Sequence, residues 1–95
     1  MLTSKQRAKL RALANDQQPI FQIGKNGISD VFCDEIGEAL EKRELIKCTV
    51  LETAMLTARQ AAEAVAEATG ADVVQCIGSR FVLYRESKKN KLIEL

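Results

Sequence analysis

The tetrapeptide Gly24-Lys25-Asn26-Gly27 constrains this chain more than any other stretch. It stands between an apolar run, Pro19-Ile20-Phe21-Gln22-Ile23, and an apolar-periodic segment that opens at Ser29. The run reads as a strand and the periodic segment as a helix, so a strand must deliver the loop and a helix must leave it. Two glycines let the main chain turn tightly and come close to a ligand. The first N–H groups of the helix lack intrahelical partners and attract anions. Lys25 adds a positive charge at the tip. The pattern suits a phosphate backbone, although a lone G-x-x-G also fits an ordinary turn. A nucleotide-triphosphate P-loop is excluded. Its leading glycine would fall at Pro19, and Asn26 stands where a Ser or Thr should follow the lysine. The G-x-G-x-x-G dinucleotide pattern is absent as well.

The rest of the chain supplies a frame for that loop. Thr3 and Gln6 form a capping box for a first helix over about Ser4 to Asn15, with a narrow apolar stripe of Leu10, Leu13 and Ala14. Ser29 caps a second helix whose Phe32, Ile36, Ala39 and Leu40 face the core, while Asp34, Glu35, Glu38 and Glu41 cover its exposed side. Residues 44–51 read as a strand. Thr57 and Gln60 cap a third helix with a small-residue face of Ala61, Ala62, Val65 and Ala66, and Gly70 ends it. Asp72 to Ile77 and Arg80 to Tyr84 are strands joined by a tight turn at Gly78-Ser79.

The order αβαβαββ predicts an α/β two-layer sandwich, with a four-stranded mixed sheet packed against three helices. The strand–helix–strand units are expected to pair in parallel, and the final hairpin adds one antiparallel strand. The globular domain is expected over residues 1–87. Residues 88–95 read as a basic tail that orders on meeting a partner.

The net charge of +1 conceals an asymmetry. Residues 1–25 hold five basic residues against one acidic, residues 26–79 four against ten, and residues 80–95 five against two. Such a dipolar chain can present one basic face to a polyanion without a high overall pI. Lys5, Lys9, Arg11 and Lys25 are expected to share that face, extended by Arg80, Arg85, Lys88 and Lys89. Arg7 either joins it or lays its stem along the edge of the core.

Other chemistry finds little support. The chain has no histidine, which removes the commonest acid–base group and metal ligand at neutral pH. Cys33, Cys48 and Cys76 are odd in number and lack zinc spacing, so inert buried thiols in a reducing compartment are expected, with Cys76 beside a buried Ile77. No catalytic residue, metal or cofactor is expected. No run approaches the length of a membrane span and no secretory signal opens the chain, which predicts a cytoplasmic location. Phe21 and Phe81 are expected in the core. Tyr84 either packs there or stacks on a base.

Four segments in order resemble the CRM-domain family, the small bacterial YhbY-like proteins. They are Leu2-Thr3-Ser4-Lys5-Gln6-Arg7, Gln22-Ile23-Gly24-Lys25-Asn26-Gly27-Ile28-Ser29, Glu38-Ala39-Leu40-Glu41-Lys42-Arg43-Glu44-Leu45-Ile46-Lys47, and Thr69 to Gly78 followed by Val82-Leu83-Tyr84-Arg85. The resemblance covers residues 2–87. It implies RNA binding, with the stand-alone bacterial members associating with precursors of the large ribosomal subunit and plant organellar relatives serving group II intron splicing. It also implies a fold similar to the C-terminal domain of a bacterial translation initiation factor. The loop Gly24, Lys25, Asn26 and Gly27 is likened to the backbone-holding loop of KH domains. The function expected is therefore an RNA-binding ribosome assembly factor, a monomer whose partner is structured ribosomal RNA. A protein-interaction module that docks a ribosomal protein is the competing expectation.

Overall fold

The computed structural model describes residues 2–95. The elements follow in the order α1 (Ser4–Ala14), β1 (Phe21–Ile23), α2 (Asp30–Arg43), β2 (Leu45–Val50), a single 3₁₀ turn (Glu52–Ala54), α3 (Ala58–Thr69), β3 (Asp72–Ile77) and β4 (Arg80–Tyr84).

The caps form as their residue types dictate. Thr3 Oγ1 accepts from the Gln6 N–H at 3.1 Å and Gln6 Oε1 accepts from the Thr3 N–H at 3.0 Å. Thr57 and Gln60 repeat the arrangement at 3.0 Å in both directions. Ser29 Oγ accepts from the Phe32 N–H at 3.1 Å. Each cap fills helix-end donors that would otherwise be orphaned.

One sheet runs β1-β2-β4-β3. β1 and β2 are parallel, as a right-handed crossover through α2 requires. β2 and β3 do not pair. β4 inserts between them, antiparallel to both. The reason lies in burial: Phe81, Val82, Leu83 and Tyr84 are all buried, so β4 needs cover on both faces and takes a central position. β3, half-exposed along most of its length, takes the edge.

The helices divide between the two faces. α2 and α3 pack on one, where Ile23, Ile36, Leu40, Ile46, Cys48, Val65, Phe81 and Leu83 form the main core. The alanine face of α3 lets its backbone lie close to the strands. Phe21 and Phe32 meet edge to face across the core margin, with ring centroids 5.7 Å apart. α1 packs on the opposite face through Leu10 and Ala14 against Leu45, Val74, Val82 and Tyr84. Burying each large aliphatic side chain contributes roughly 1.5–3 kcal/mol. Tyr84 is only 5% exposed, so its ring is a core group and not a stacking platform.

The C-terminal segment departs from a free tail. Glu44 follows α2 at φ +64°, a conformation uncommon for a residue with a side chain, and is fully buried. Its carboxylate accepts from the N–H groups of Ser87 (2.6 Å), Leu92 (2.6 Å) and Ile93 (2.7 Å). Glu41, one turn earlier, accepts from the Ser87 hydroxyl (2.5 Å) and from the N–H groups of Lys88 and Lys89. Two carboxylates thus tie residues 87–93 to the end of α2.

Candidate nucleic-acid interface

The geometry at the loop begins with strand register. Ile23 pairs with Val50, Thr49 with Arg80, and Arg80 with Ile77, so β1 and β2 end where β4 begins. The Leu51 N–H donates to Ile23 O at 2.8 Å, and the Val50 N–H donates to Ser79 O at 2.6 Å. The Gly24–Gly27 loop, the 3₁₀ turn and the β3–β4 hairpin therefore gather at one end of the sheet.

The two glycines serve different needs. Gly27 adopts φ +67° and has open space around it, so the left-handed backbone alone demands glycine. Gly24 has no such φ, but a methyl group there would lie 3.4 Å from Leu51 Cδ1 and 3.4 Å from Thr53 Oγ1. The loop closes as a turn, with the Gly27 N–H donating to Gly24 O at 2.9 Å. Among the described residues, no hydrogen bond engages the N–H groups of Lys25 or Asn26. The loop borders a concavity of about 310 Å³ walled by Gln22, Ser29, Val31 and Phe32, with Glu35 as its acid. It offers free main-chain donors, one lysine and the start of α2, an arrangement able to hold an anion.

The basic residues do not form one continuous surface. Arg80 lies at the loop end of the sheet, about 10 Å from Gln22 by two strand spacings. Arg85, Lys88 and Lys89 lie at the opposite end, where Tyr84 pairs with Leu45 and Asp72. The Arg85 guanidinium donates to Thr69 O at 2.7 Å and to Gly37 O at 2.8 Å, bridging α3 and α2 from within. Lys88 borders a groove with Asp34, Glu38 and Glu41. On α1, Lys5 is exposed and Lys9 donates to Glu94 O on the tail. Arg11 sits one turn from the end of α1 that approaches Arg80. Arg7 donates to Val73 O, so it braces the sheet edge.

The thiols are held in their neutral form. Burial pushes Cys48 up to about 12. Burial, helped by Asp30 and Asp34, raises Cys33, and burial raises Cys76. The residue after Cys76 differs from expectation: Ile77 is 63% exposed, because its cross-strand partner Arg80 shares the face that α1 leaves open. No group of three or more His, Cys, Asp or Glu side chains among the described residues is arranged to hold a metal ion. No helix among them is long and apolar enough to cross a membrane.

Sequence reasoning missed Glu44, which it placed at the head of a strand. Its only sequence signal was an acid wedged between Lys42-Arg43 and the apolar start of β2. Its partners are main-chain donors more than forty positions away, which no local pattern announces.

Comparison with known proteins establishes the family. Across its full length the chain is 48% identical to the Bacillus subtilis "Probable RNA-binding protein YqeI", covering 99% of that protein. It is 36% identical over 91 residues to a Haemophilus influenzae "RNA-binding protein", covering 96% of this chain and 92% of the relative. The solution structure of SAV1595 from Staphylococcus aureus superposes with a TM-score of 0.78 at 48% identity, covering 100% of this chain and 99% of that one. The model of the CRS1 / YhbY (CRM) domain matches residues 2–85, and the chain belongs to that family.

Proposed function

We propose that this protein binds structured RNA by holding a stretch of phosphate backbone on the Gly24–Gly27 loop. The observation that carries the reading is the loop itself: unengaged N–H groups at Lys25 and Asn26, at the end of a strand and the capped start of a helix. Backbone donors of this kind position a nucleic acid without reading its sequence. Lys25 supplies the point charge, and Arg80 and Arg11 extend the cationic reach along the sheet. Lys5 and Lys9 on α1, and Lys88 and Lys89 beside the end of α2, are separate cations that a long RNA reaches only beyond the loop. Arg85 supports the fold from beneath.

The biological RNA we propose is ribosomal RNA within a large-subunit precursor, with the protein acting as an assembly factor in the cytoplasm. The support is the ribosomal association that the family resemblance implies, combined with a modest net charge that suits a specific, transient contact over tight non-specific binding. In-cell crosslinking followed by sequencing of the bound RNA tests this. Enrichment of large-subunit ribosomal RNA, lost in a Lys25→Ala, Gly27→Asp variant, is expected. Enrichment of unrelated structured RNAs would overturn the ribosomal assignment. Crosslinks only to a ribosomal protein would favour a docking role.

A further inference from the structure

The face of the sheet that α1 occupies is only half covered. α1 packs on Leu45, Val74, Val82 and Tyr84, leaving the loop end of that face open. Cross-strand pairing aligns Gln22, Thr49, Arg80 and Ile77 in one row there, and Lys47, Val82 and Gln75 in the next. Between α1 and these rows lies a groove of about 150 Å³ lined by Asn15, Lys47, Gln75, Ile77, Arg80 and Val82.

A β-bulge sets its composition. Val73 pairs with Leu83 and Gln75 with Val82, so Val74 is an extra residue in β3. Val74 and Gln75 consequently both face α1. Strict alternation would have turned the Gln75 amide into the apolar core on the far side and brought Cys76 outward. The bulge instead aims the amide into the groove and keeps Ile77 exposed beside it.

The lining is selective in charge. Other grooves carry acids: Asp34, Glu38 and Glu41 in one along α2, Glu35 and Glu38 in another, Asp72 and Glu86 near the tail. This groove has two cations and no carboxylate. Ile77, 63% exposed, offers an apolar surface to a planar ring, and the edge of buried Val82 forms the floor beside it. Asn15 and Gln75 each present both a donor and an acceptor, able to meet the edge of a base. Lys47 and Arg80 stand ready for the flanking phosphates.

We propose that this groove is a subsite for one unpaired nucleotide of the same RNA whose backbone lies on the loop. The inference rests on the RNA reading above. It adds base contact to what would otherwise be backbone contact alone. A fully paired stem satisfies the loop but leaves the groove empty, so the protein prefers a helix next to an unpaired residue.

The test uses the full chain and two labelled RNA hairpins with identical stems, each closed by a non-nucleotide linker so that neither has unpaired loop bases, one blunt and one with a four-nucleotide single-stranded 3′ overhang. Wild type is expected to bind the overhang hairpin about tenfold more tightly, in the range of a single base contact. Ile77→Ser and Gln75→Leu, both at solvent-accessible positions, should bring that ratio close to one. Lys25→Ala should lower both affinities and keep the ratio. Equal wild-type affinity for the two hairpins, or an unchanged ratio in both groove variants, would overturn the subsite while leaving the loop reading intact. Failure of wild type to bind either hairpin would overturn both. Circular dichroism establishes that each variant is folded, and a 5′ overhang repeats the comparison for the opposite strand polarity.

Discussion

The two ends of α2 treat main-chain N–H groups in opposite ways. At its C-terminal end, Glu44 and Glu41 direct their carboxylates onto the N–H groups of residues 87–93. At its N-terminal end, the loop presents N–H groups at Lys25 and Asn26 that nothing within the described residues engages. Both ends gather backbone donors of the kind that favour negative charge. One takes the charge from its own chain and becomes part of the fold. The other leaves its donors unengaged, at the place proposed above for the RNA phosphate. An N–H cluster is therefore a candidate site only after its internal acceptors have been sought. Residues 87–93, basic and polar in sequence as far as Lys91, fail that test, whereas the loop passes it.

The largest effect expected from breaking this contrast is at Glu44. Glu44→Ala removes the acceptor of three charge-assisted hydrogen bonds and leaves one buried and two part-buried donors without this partner, a loss of about 3 kcal/mol in urea unfolding. The same bond set gives a pH signature. Burial pushes the Glu44 carboxyl up, but the N–H groups of Ser87, Ile93 and Leu92 and the charge of Lys91 outweigh it, so it titrates below its ordinary 4.5. The Ser87 hydroxyl, with the Lys88 and Lys89 N–H groups, lowers Glu41 too. A lowered folded-state value means that the clamp contributes fully above about pH 4.5 and loses its contribution as pH falls through the folded-state values. Protection of the Leu92 and Ile93 amides, taken relative to intrinsic exchange at the same pH, should fall over that acid window in wild type, and Glu44→Gln should show low protection already at neutral pH.

Arg85 comes next. Arg85→Ala removes the bridge between Thr69 O and Gly37 O, with an expected loss of about 2 kcal/mol, while the salt dependence of RNA binding stays as in wild type. A reduced salt slope with unchanged stability would return Arg85 to the RNA surface. Gly27→Ala is expected to cost about 1 kcal/mol, because a side chain must be held at φ +67°. Gly24→Ala meets Leu51 and Thr53 at contact distance without a backbone penalty, so it should be milder. Thermal melts of the pair separate the two glycine roles.

Much of the frame was legible because its determinants are local. Thr3 with Gln6, Ser29, Thr57 with Gln60, and Gly78 each fix an element boundary within three residues of themselves. Strand order was not local in this sense. The unbroken apolar run Phe81-Val82-Leu83-Tyr84 did carry the sign of a central strand, but crossover rules alone place β2 beside β3. The loop was readable because glycines, lysine and cap are contiguous. The spread of cations was not, since one sequence segment can serve either end of a sheet. Arg85 looked like surface charge and proved to be a strut between helices whose acceptors are main-chain carbonyls. Ile77 looked buried because apolar residues usually are, and the bulge in β3 exposed it.

The loop's claim to the RNA is tested most directly by a salt series on one structured ribosomal RNA fragment, comparing wild type with Lys25→Ala. The lysine is on the loop, and its replacement leaves both glycines and the α2 cap in place. Unfolding should be unchanged, affinity at low salt should fall, and the slope of log affinity against log salt should shrink by about 0.7–0.9, the mark of one lost phosphate contact. A folded Lys25→Ala protein with wild-type affinity and wild-type slope would place the RNA elsewhere on the molecule.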